Sequence, residues 1–439
     1  MKVATFKRGI HPFDGKELSK DMPTKKILPK GDLVYPMSQH IGAPAKPLVG
    51  VGDKVLVGQK IGEAVGFVSS NIYSSVSGTV KAIENRLIVS GNQSLSVVVE
   101  NDNAYTPVEG LGQKRDYKGM TKDDIRTCVK EAGIVGMGGA GFPTHIKLTP
   151  KDDKMIQYVL INGAECEPYL TSDYRMMLEE PEQIITGLNI ILRLFEDAKG
   201  IIAIEDNKPE CIKILSELVK KEDRIEVKVL ETKYPQGAER QLIYASTGRK
   251  LNSSMLPSDV GCIVINVDTA ISTYLAVCES TPLIRRILTV TGDAIRKPGN
   301  FNVKTGMNYR ELIEHVEGFA NQPEKIISGG PMMGTAIYSL DIPVTKTSSA
   351  LLCFTKDEVA AQEPTACIRC GKCVEVCPCG LIPQKMIEYS DNFDDEGFQK
   401  VYGMECYECG SCTYICPAKR RLTQSFKQTR RSVLDNRKK

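Results

Sequence analysis

The sequence predicts an α/β multidomain protein, and three observations carry that prediction. Short β-type runs between glycines fill the front of the chain, strands alternate with helices through its middle, and two copies of one cysteine pattern close it. The 439 residues leave room for about three or four domains at roughly 100–200 residues each. Hydrophobic residues make up 41% and charged residues 25%, the balance of an ordinary globular chain. The net charge of +3 gives no global argument for nucleic-acid binding, and no nucleic-acid partner is expected.

Residues 1–30 read as irregular. From Pro36 to about Glu100, runs such as KVLVGQKIGEAVGFV and GTVKAI alternate, and LSVVVE follows, which predicts a small β-sandwich or hybrid barrel. Residues 1–118 form this N-terminal unit. In residues 119–283, DDIRTCVKEAGI has helical periodicity with an acidic first turn after Thr121. YVLIN is a short buried strand, EQIITGLNIILRLFEDA an amphipathic helix and GIIAIED a strand. A helix then starts after Asn207, read as its N-cap, with Pro209 in its first turn. IEVKVLE and GCIVINV complete a doubly wound, mostly parallel sheet. Residues 284–352 return to β-type patterning and predict a β-grasp unit with one helix. Residues 353–426 carry the cysteine runs behind a helical lead-in, KDEVAAQE, and residues 427–439 form a basic tail.

The first cysteine run is Cys367, Cys370, Cys373 and Cys377; the second is Cys406, Cys409, Cys412 and Cys416. Each reads C-x2-C-x2-C-x3-C-P, the spacing that wraps a [4Fe–4S] cube, with the fourth thiolate of each cube supplied by the other run. One cluster is thus expected on Cys367, Cys370, Cys373 and Cys416, and the other on Cys406, Cys409, Cys412 and Cys377. Tetrahedral zinc is the competing reading, but two such runs are rare as zinc frameworks. The seven remaining cysteines are scattered, which suits a reducing compartment better than a disulfide framework. The N-terminus lacks the apolar core of a signal peptide. No window reaches about 18 consecutive apolar residues, so no transmembrane segment is expected and any membrane link goes through a partner.

Gly136-Met137-Gly138-Gly139-Ala140-Gly141-Phe142-Pro143 is the sharpest motif outside the clusters. Glycines let backbone N–H groups turn inward and approach an anion closely. A dinucleotide fingerprint needs a strand before the loop and a helix after it; here a helix precedes and YVLIN follows, so that fingerprint is misplaced. A tight helix-to-strand connection is the plain alternative.

The order GMGGAGFPTHIKL, INGAECEP, YPQGAERQ and INVDTA resembles the flavin-carrying NADH-oxidising subunit of respiratory complex I. At the front, VGDKVLVGQKIGEA and SSVSGTVKAI resemble the halves of biotinyl and lipoyl carrier domains, but the hairpin tip near Phe67 has no lysine, so the fold is kept without the carrier role. With ISGGPMMG, GIHP, QHIGAPA and both cysteine runs, nearly the whole chain resembles the RnfC family, a component of the Rnf complex, which is an ion-translocating ferredoxin:NAD oxidoreductase.

The resemblance implies a lipoyl-like barrel, a Rossmann-like FMN domain, a β-grasp unit and a two-cluster ferredoxin domain. It implies FMN and two [4Fe–4S] clusters as cofactors, NAD(H) as substrate and the other Rnf subunits as partners. Its location would be peripheral, on the cytoplasmic side of the cell membrane. Gly136, Gly138, Gly139 and Gly141 would line the FMN site. Lys147 would offer a cation, Asn162 and Glu165 match flavin-contacting positions, and Asn266 and Thr269 would meet the phosphate or ribityl chain. Phe142 would stack on the nicotinamide dinucleotide, and Glu167, Tyr234 and Glu239 would shape the hydride-transfer pocket. Two departures matter: Ala164 and Ala238 stand where the complex I family has carboxylates. A flavin-free iron–sulfur relay and a diaphorase-type subunit of a hydrogenase or formate dehydrogenase are the alternatives. His145 beside the loop reads as structural. The nine Lys or Arg from Lys419 onward read as a solvated helix and tail, with docking on an acidic partner or anionic headgroups as the sharper alternative.

Overall fold

A computed structural model describes residues 3–436. The front is a barrel-sandwich. One sheet joins Leu33–Pro36, Gln93–Asn101, Gly78–Leu87 and Lys54–Val55, and a second joins Lys46–Pro47, Lys60–Glu63 and Ile72–Tyr73. Leu33, Val55, Ile61, Ile72, Val80, Val97 and Val99 fill the space between them. Phe67 stands exposed at its hairpin tip.

The middle is the unit that builds the site. Helix α1 (Lys122–Glu131) starts on a capping box in which Thr121 and Asp124 satisfy each other's backbone N–H, worth about 1 kcal/mol. The short helix α2 (Thr144–Lys147) follows the glycine loop. Strand β1 (Tyr158–Gly163) leads to α3 (Ser172–Glu179) and α4 (Pro181–Leu192). Then come β2 (Lys199–Glu205), α5 (Pro209–Leu218), β3 (Ile225–Leu230), α6 (Glu239–Thr247), β4 (Cys262–Asn266) and α7 (Val267–Cys278). The sheet runs β3-β2-β1-β4, with every pairing parallel. Apolar strand residues alternate onto two cores, Ile161, Ile202 and Ile265 on one face and Leu160, Ala203 and Val264 on the other. The strand order reverses beside β1, which lies between β2 and β4.

A six-stranded mixed sheet follows, in the order Lys25–Lys26, Gly299–Lys304, Arg285–Thr291, Ala350–Phe354, Lys325–Ser328 and Thr335–Ile337, with the helix Tyr309–His315 over its core. Its first strand comes from the N-terminal region, and residues 4–19 run as an irregular strap across the molecule. Ala4 pairs with Leu230, Ile10 with Tyr234, and Arg8 donates to the carbonyl of Val374 at 3.1 Å. The cysteine-rich end packs short helices Lys372–Val376 and Ser411–Ile415 with Pro383–Asp391, Asp395–Lys400 and Leu422–Asn436 around Met386, Phe398 and Phe426.

Two local expectations are corrected. KDEVAAQE makes only a turn: Asp357 accepts from the Ala360 N–H at 3.1 Å, and Glu363 precedes Pro364, a position that disfavours helix. Lys208, not Asn207, occupies the cap position of α5, because the Asn207 side chain accepts from the Lys208 ammonium at 2.8 Å. Among the described residues, no helix is long and apolar enough to cross a membrane.

Candidate flavin and iron–sulfur site

Asn162 near the end of β1 and Asn266 at the end of β4 are register partners on adjacent parallel strands. They therefore mark the point where strand order reverses, the place where open α/β sheets bind ligands beyond their strand ends. The glycine loop comes to this point. It is a tight excursion closed by a Val135–Pro143 bridge and by the Gly136 N–H donating to the Phe142 carbonyl at 2.8 Å. Gly138 has φ +79°, and a Cβ there would come 3.1 Å from Asn266 Nδ2. A Cβ on Gly139 would meet nothing within 4 Å. Gly141, φ +73°, is instead wedged: a Cβ there would come 2.7 Å from Thr347 Cγ2. The crown of the loop thus faces open space at the sheet's switch point, while its base is locked. Thr269 tightens that base by accepting from the Met137 N–H at 3.0 Å.

The predicted residues divide around this cradle. Lys147 on α2 places Nζ 3.1 Å from Glu239 Oε1 and 3.2 Å from the Val264 carbonyl, so a cation and a carboxylate share one side of the strand ends. Asn162 donates to the Gly237 carbonyl at 2.8 Å, and Asn266 donates to Asp173 Oδ2 at 2.8 Å. Phe142 is half-buried beside the loop. Glu165 turns under the floor: it accepts from the Asp173 N–H at 2.6 Å, and its carboxylate lies 3.7 Å from Lys16 Nζ. Burial pushes Glu165 up and Lys16 down, each partly opposed by the other. Glu167 accepts from the Met332 and Met333 N–H groups at 3.0 and 2.9 Å, and burial raises it to about 7. Tyr234 is buried, and its hydroxyl donates to the Cys409 carbonyl at 2.7 Å, where the middle domain meets the cysteine-rich end.

Four groups escape a sequence reading. Asp173, buried and pushed up to about 7 by desolvation and by Glu165 and Asp268, backs Asn266. Lys16 gathers the carbonyls of Glu165, Glu167 and Leu170. Gln39 accepts from the Lys346 N–H at 3.1 Å, and Lys346 Nζ reaches the Gly133 carbonyl at 2.6 Å just ahead of the glycine loop. Gln39 opens the QHIGAPA segment, which marks the family without announcing this contact; Asp173, Lys16 and Lys346 sit in no recognisable motif, and only the fold brings the four in.

The two cysteine runs meet in the cysteine-rich end. Cys377 of the first run lines one cavity with Cys406, Cys409 and Cys412 of the second. Burial raises the Cys373 thiol, and charge on Cys416 of the second run and on Cys367 would raise it further. Cys367 and Cys370 are exposed, whereas Cys409 and Cys412 are buried. Among the described residues, no three His, Cys, Asp or Glu side chains converge as a single ion requires. A cavity ringed by thiols from both runs suits a cube better than one zinc ion. The ring beside Tyr234 is the inner one. Arg240 and Ser253 hold it to the middle domain through Glu405, with Nη1–Oε2 at 2.9 Å and Oγ–Oε1 at 2.6 Å.

Fold and site together define a flavin- and iron–sulfur-dependent electron-transfer protein. Four family models match in succession: an RnfC barrel sandwich hybrid domain over residues 4–104, a Nuo51 FMN-binding domain over 129–275, an SLBB domain over 287–336 and a 4Fe-4S dicluster domain over 366–422. The RnfC component of the Na(+)-translocating ferredoxin:NAD(+) oxidoreductase complex of Acetobacterium woodii is 44% identical over 100% of this chain and 99% of its own length. The counterpart from the proton-translocating complex of Clostridium ljungdahlii is 43% identical over 88% of this chain and 84% of its own. The chain belongs to the RnfC family. A NAD+-reducing [NiFe]-hydrogenase shares the fold, with a TM-score of 0.52 at 20% identity over 75% of this chain and 65% of that one.

Proposed function

We propose that this chain is the peripheral NAD(H)-linked subunit of a membrane-bound, ion-translocating ferredoxin:NAD oxidoreductase. The observation that carries the reading is the meeting of the open Gly138–Gly139 crown with Asn266 at the switch point, on a domain bonded directly to a cysteine ring. FMN bound there would supply the conversion between two-electron hydride transfer and single-electron transfer to clusters. The chain's own residues do the rest. Gly136 to Gly141 and the Asn266 end of β4 would hold the phosphate and ribityl chain, with Thr269 keeping the loop closed. Lys147 would set positive charge beside the ring, and Phe142 and Glu239 would bound the space for nicotinamide. Glu165 and Glu167 serve from below by fixing the floor to the strap and to the Met332 turn.

Cys377, Cys406, Cys409 and Cys412 would hold the inner cluster, next to the flavin domain. Cys367, Cys370, Cys373 and Cys416 would hold the outer one, whose exposed loop offers the entry for electrons from a partner protein of the complex. The membrane association is through those partners, on the cytoplasmic side where nicotinamide dinucleotide and reduced ferredoxin are found. Similarity over the full length of one RnfC relative and most of the other favours this over a diaphorase of a hydrogenase. Anaerobic reconstitution with iron, sulfide and FMN, followed by NADH, tests it: flavin absorbance bleaches. Protein with a full iron complement that neither binds FMN nor responds to NADH defeats the reading. Copurification with integral membrane proteins of the complex tests its location.

A further inference from the structure

Tyr234 occupies the seam between the two redox units. The residue is 1% exposed and packs with Ile10 and Cys409, with Cys166, Met332, Val376 and Tyr407 around them. Its backbone is fixed on both sides by the strap, through Ile10 N–H to the Tyr234 carbonyl at 2.8 Å and Tyr234 N–H to the Ile10 carbonyl at 2.9 Å. Three residues on, the Gly237 carbonyl accepts from Asn162 at the cradle, and the Gly237 N–H donates to Cys166 Sγ at 3.2 Å. One short segment therefore touches the strand ends of the flavin cradle at Gly237 and an inner-ring cysteine at Tyr234. The phenol hydroxyl has the Cys409 carbonyl as its partner.

We propose that Tyr234 is the positioning residue of the inner cluster, orienting the Cys409 loop and drawing charge from it through the hydroxyl–carbonyl hydrogen bond, and that it thereby sets the potential at which this cluster exchanges one electron with the flavin side. The inference rests on the flavin-and-cluster reading above. Hydrogen bonds just outside a metal's own ligands orient those ligands and tune the centre, and donors near a cluster favour its reduced, more negative state. Removing this donor therefore moves the inner potential downward, while the outer cluster has no contact with Tyr234 through which to respond.

The test is an EPR-monitored redox titration of the reconstituted full chain and of its Tyr234→Phe variant, which keeps the ring and removes only the hydroxyl. Cys409→Ser identifies the inner signal by loss or alteration. The expected result is two cluster signals in both wild type and Y234F, with the inner midpoint lower in Y234F and the outer midpoint unchanged. Selective loss of the inner signal in Y234F also supports the role. Two midpoints coincident with wild type overturn the inference alone. Wild-type protein that forms no pair of cubane signals overturns the underlying reading and the inference with it.

Discussion

Asn162 and Asn266 stand side by side on neighbouring parallel strands, yet their amides are committed to different neighbours: Asn162 to the Gly237 carbonyl and Asn266 to Asp173, each at 2.8 Å. The first ties the cradle toward the cysteine-rich end. The second ties it to α3 and, through Asp173 and Glu165, to the strap at Lys16. The cradle is thus built from strand ends whose polar groups are already satisfied, which leaves the glycine crown as the free recognition surface.

That division separates two glycine substitutions. Gly139→Val adds a side chain into open space, so the protein keeps its thermal stability and loses FMN binding. Gly141→Val forces a β-branched residue into φ +73° against Thr347 and costs about 2 kcal/mol or more of stability. Thermal melts beside fluorescence titration of FMN distinguish the two.

The interleaved cysteines predict a crossed pattern of loss. Cys377→Ser, in the first run, removes the same EPR signal as Cys409→Ser, in the second, and Cys416→Ser removes the same one as Cys367→Ser. Each takes iron from about eight to about four per chain, because a cube holds four irons. If C377S instead pairs with C367S, the ring around the inner cavity is misassigned.

Lys346 is buried against neutral partners, Ser70, Asn71 and Gly133, and desolvation lowers it from 10.5 to about 7. Between those values the unfolded chain binds the proton and the folded chain does not, so this lysine makes stability rise with pH from 7 to 10.5, by up to about 1.4 kcal/mol per pH unit. Below the folded value the penalty is complete. Lys346→Met removes that increment of slope, and denaturant melts across this range compare the two proteins.

Lys16 is the only cation within 4.0 Å of the Glu165 carboxylate among the ion pairs of the described residues. Lys16→Met leaves a buried carboxylate without its paired cation and three carbonyls without the lysine donor, for a loss of about 3–5 kcal/mol. Adding Glu165→Gln recovers part of it by removing the uncompensated charge. Denaturant unfolding of the single and double variants measures the coupling, and two losses that simply add would show that the pair does not interact.

The legible parts of this molecule are those whose chemistry is written in contiguous residues. Each cysteine run puts three thiols on one loop, so spacing alone announces the cube, and the fold sets Cys377 of the first run in a cavity with Cys406, Cys409 and Cys412 of the second. The glycine loop stands out because Gly138 and Gly141 need positive φ. The strap is unreadable in sequence because its value lies in distant carbonyls: Lys16 reaches across to residues 165–170, and Lys346 joins the barrel-sandwich to the turn before the loop. Family resemblance gives Tyr234 a part in shaping the hydride-transfer pocket, but its contact with the cysteine-rich end is not readable in sequence, because the strap's pairing with its backbone sets its ring at the seam. KDEVAAQE misleads for a local reason, since a helical composition cannot run on into Glu363-Pro364.

The seating of FMN on the glycine crown is tested most directly by titrating full-length, cluster-loaded protein with FMN while following quenching of flavin fluorescence. Saturation at one FMN per chain in wild type, abolished in Gly139→Val at unchanged iron content, is the predicted result. Wild-type protein that leaves FMN free, or G139V that binds it as tightly as wild type, would contradict the account.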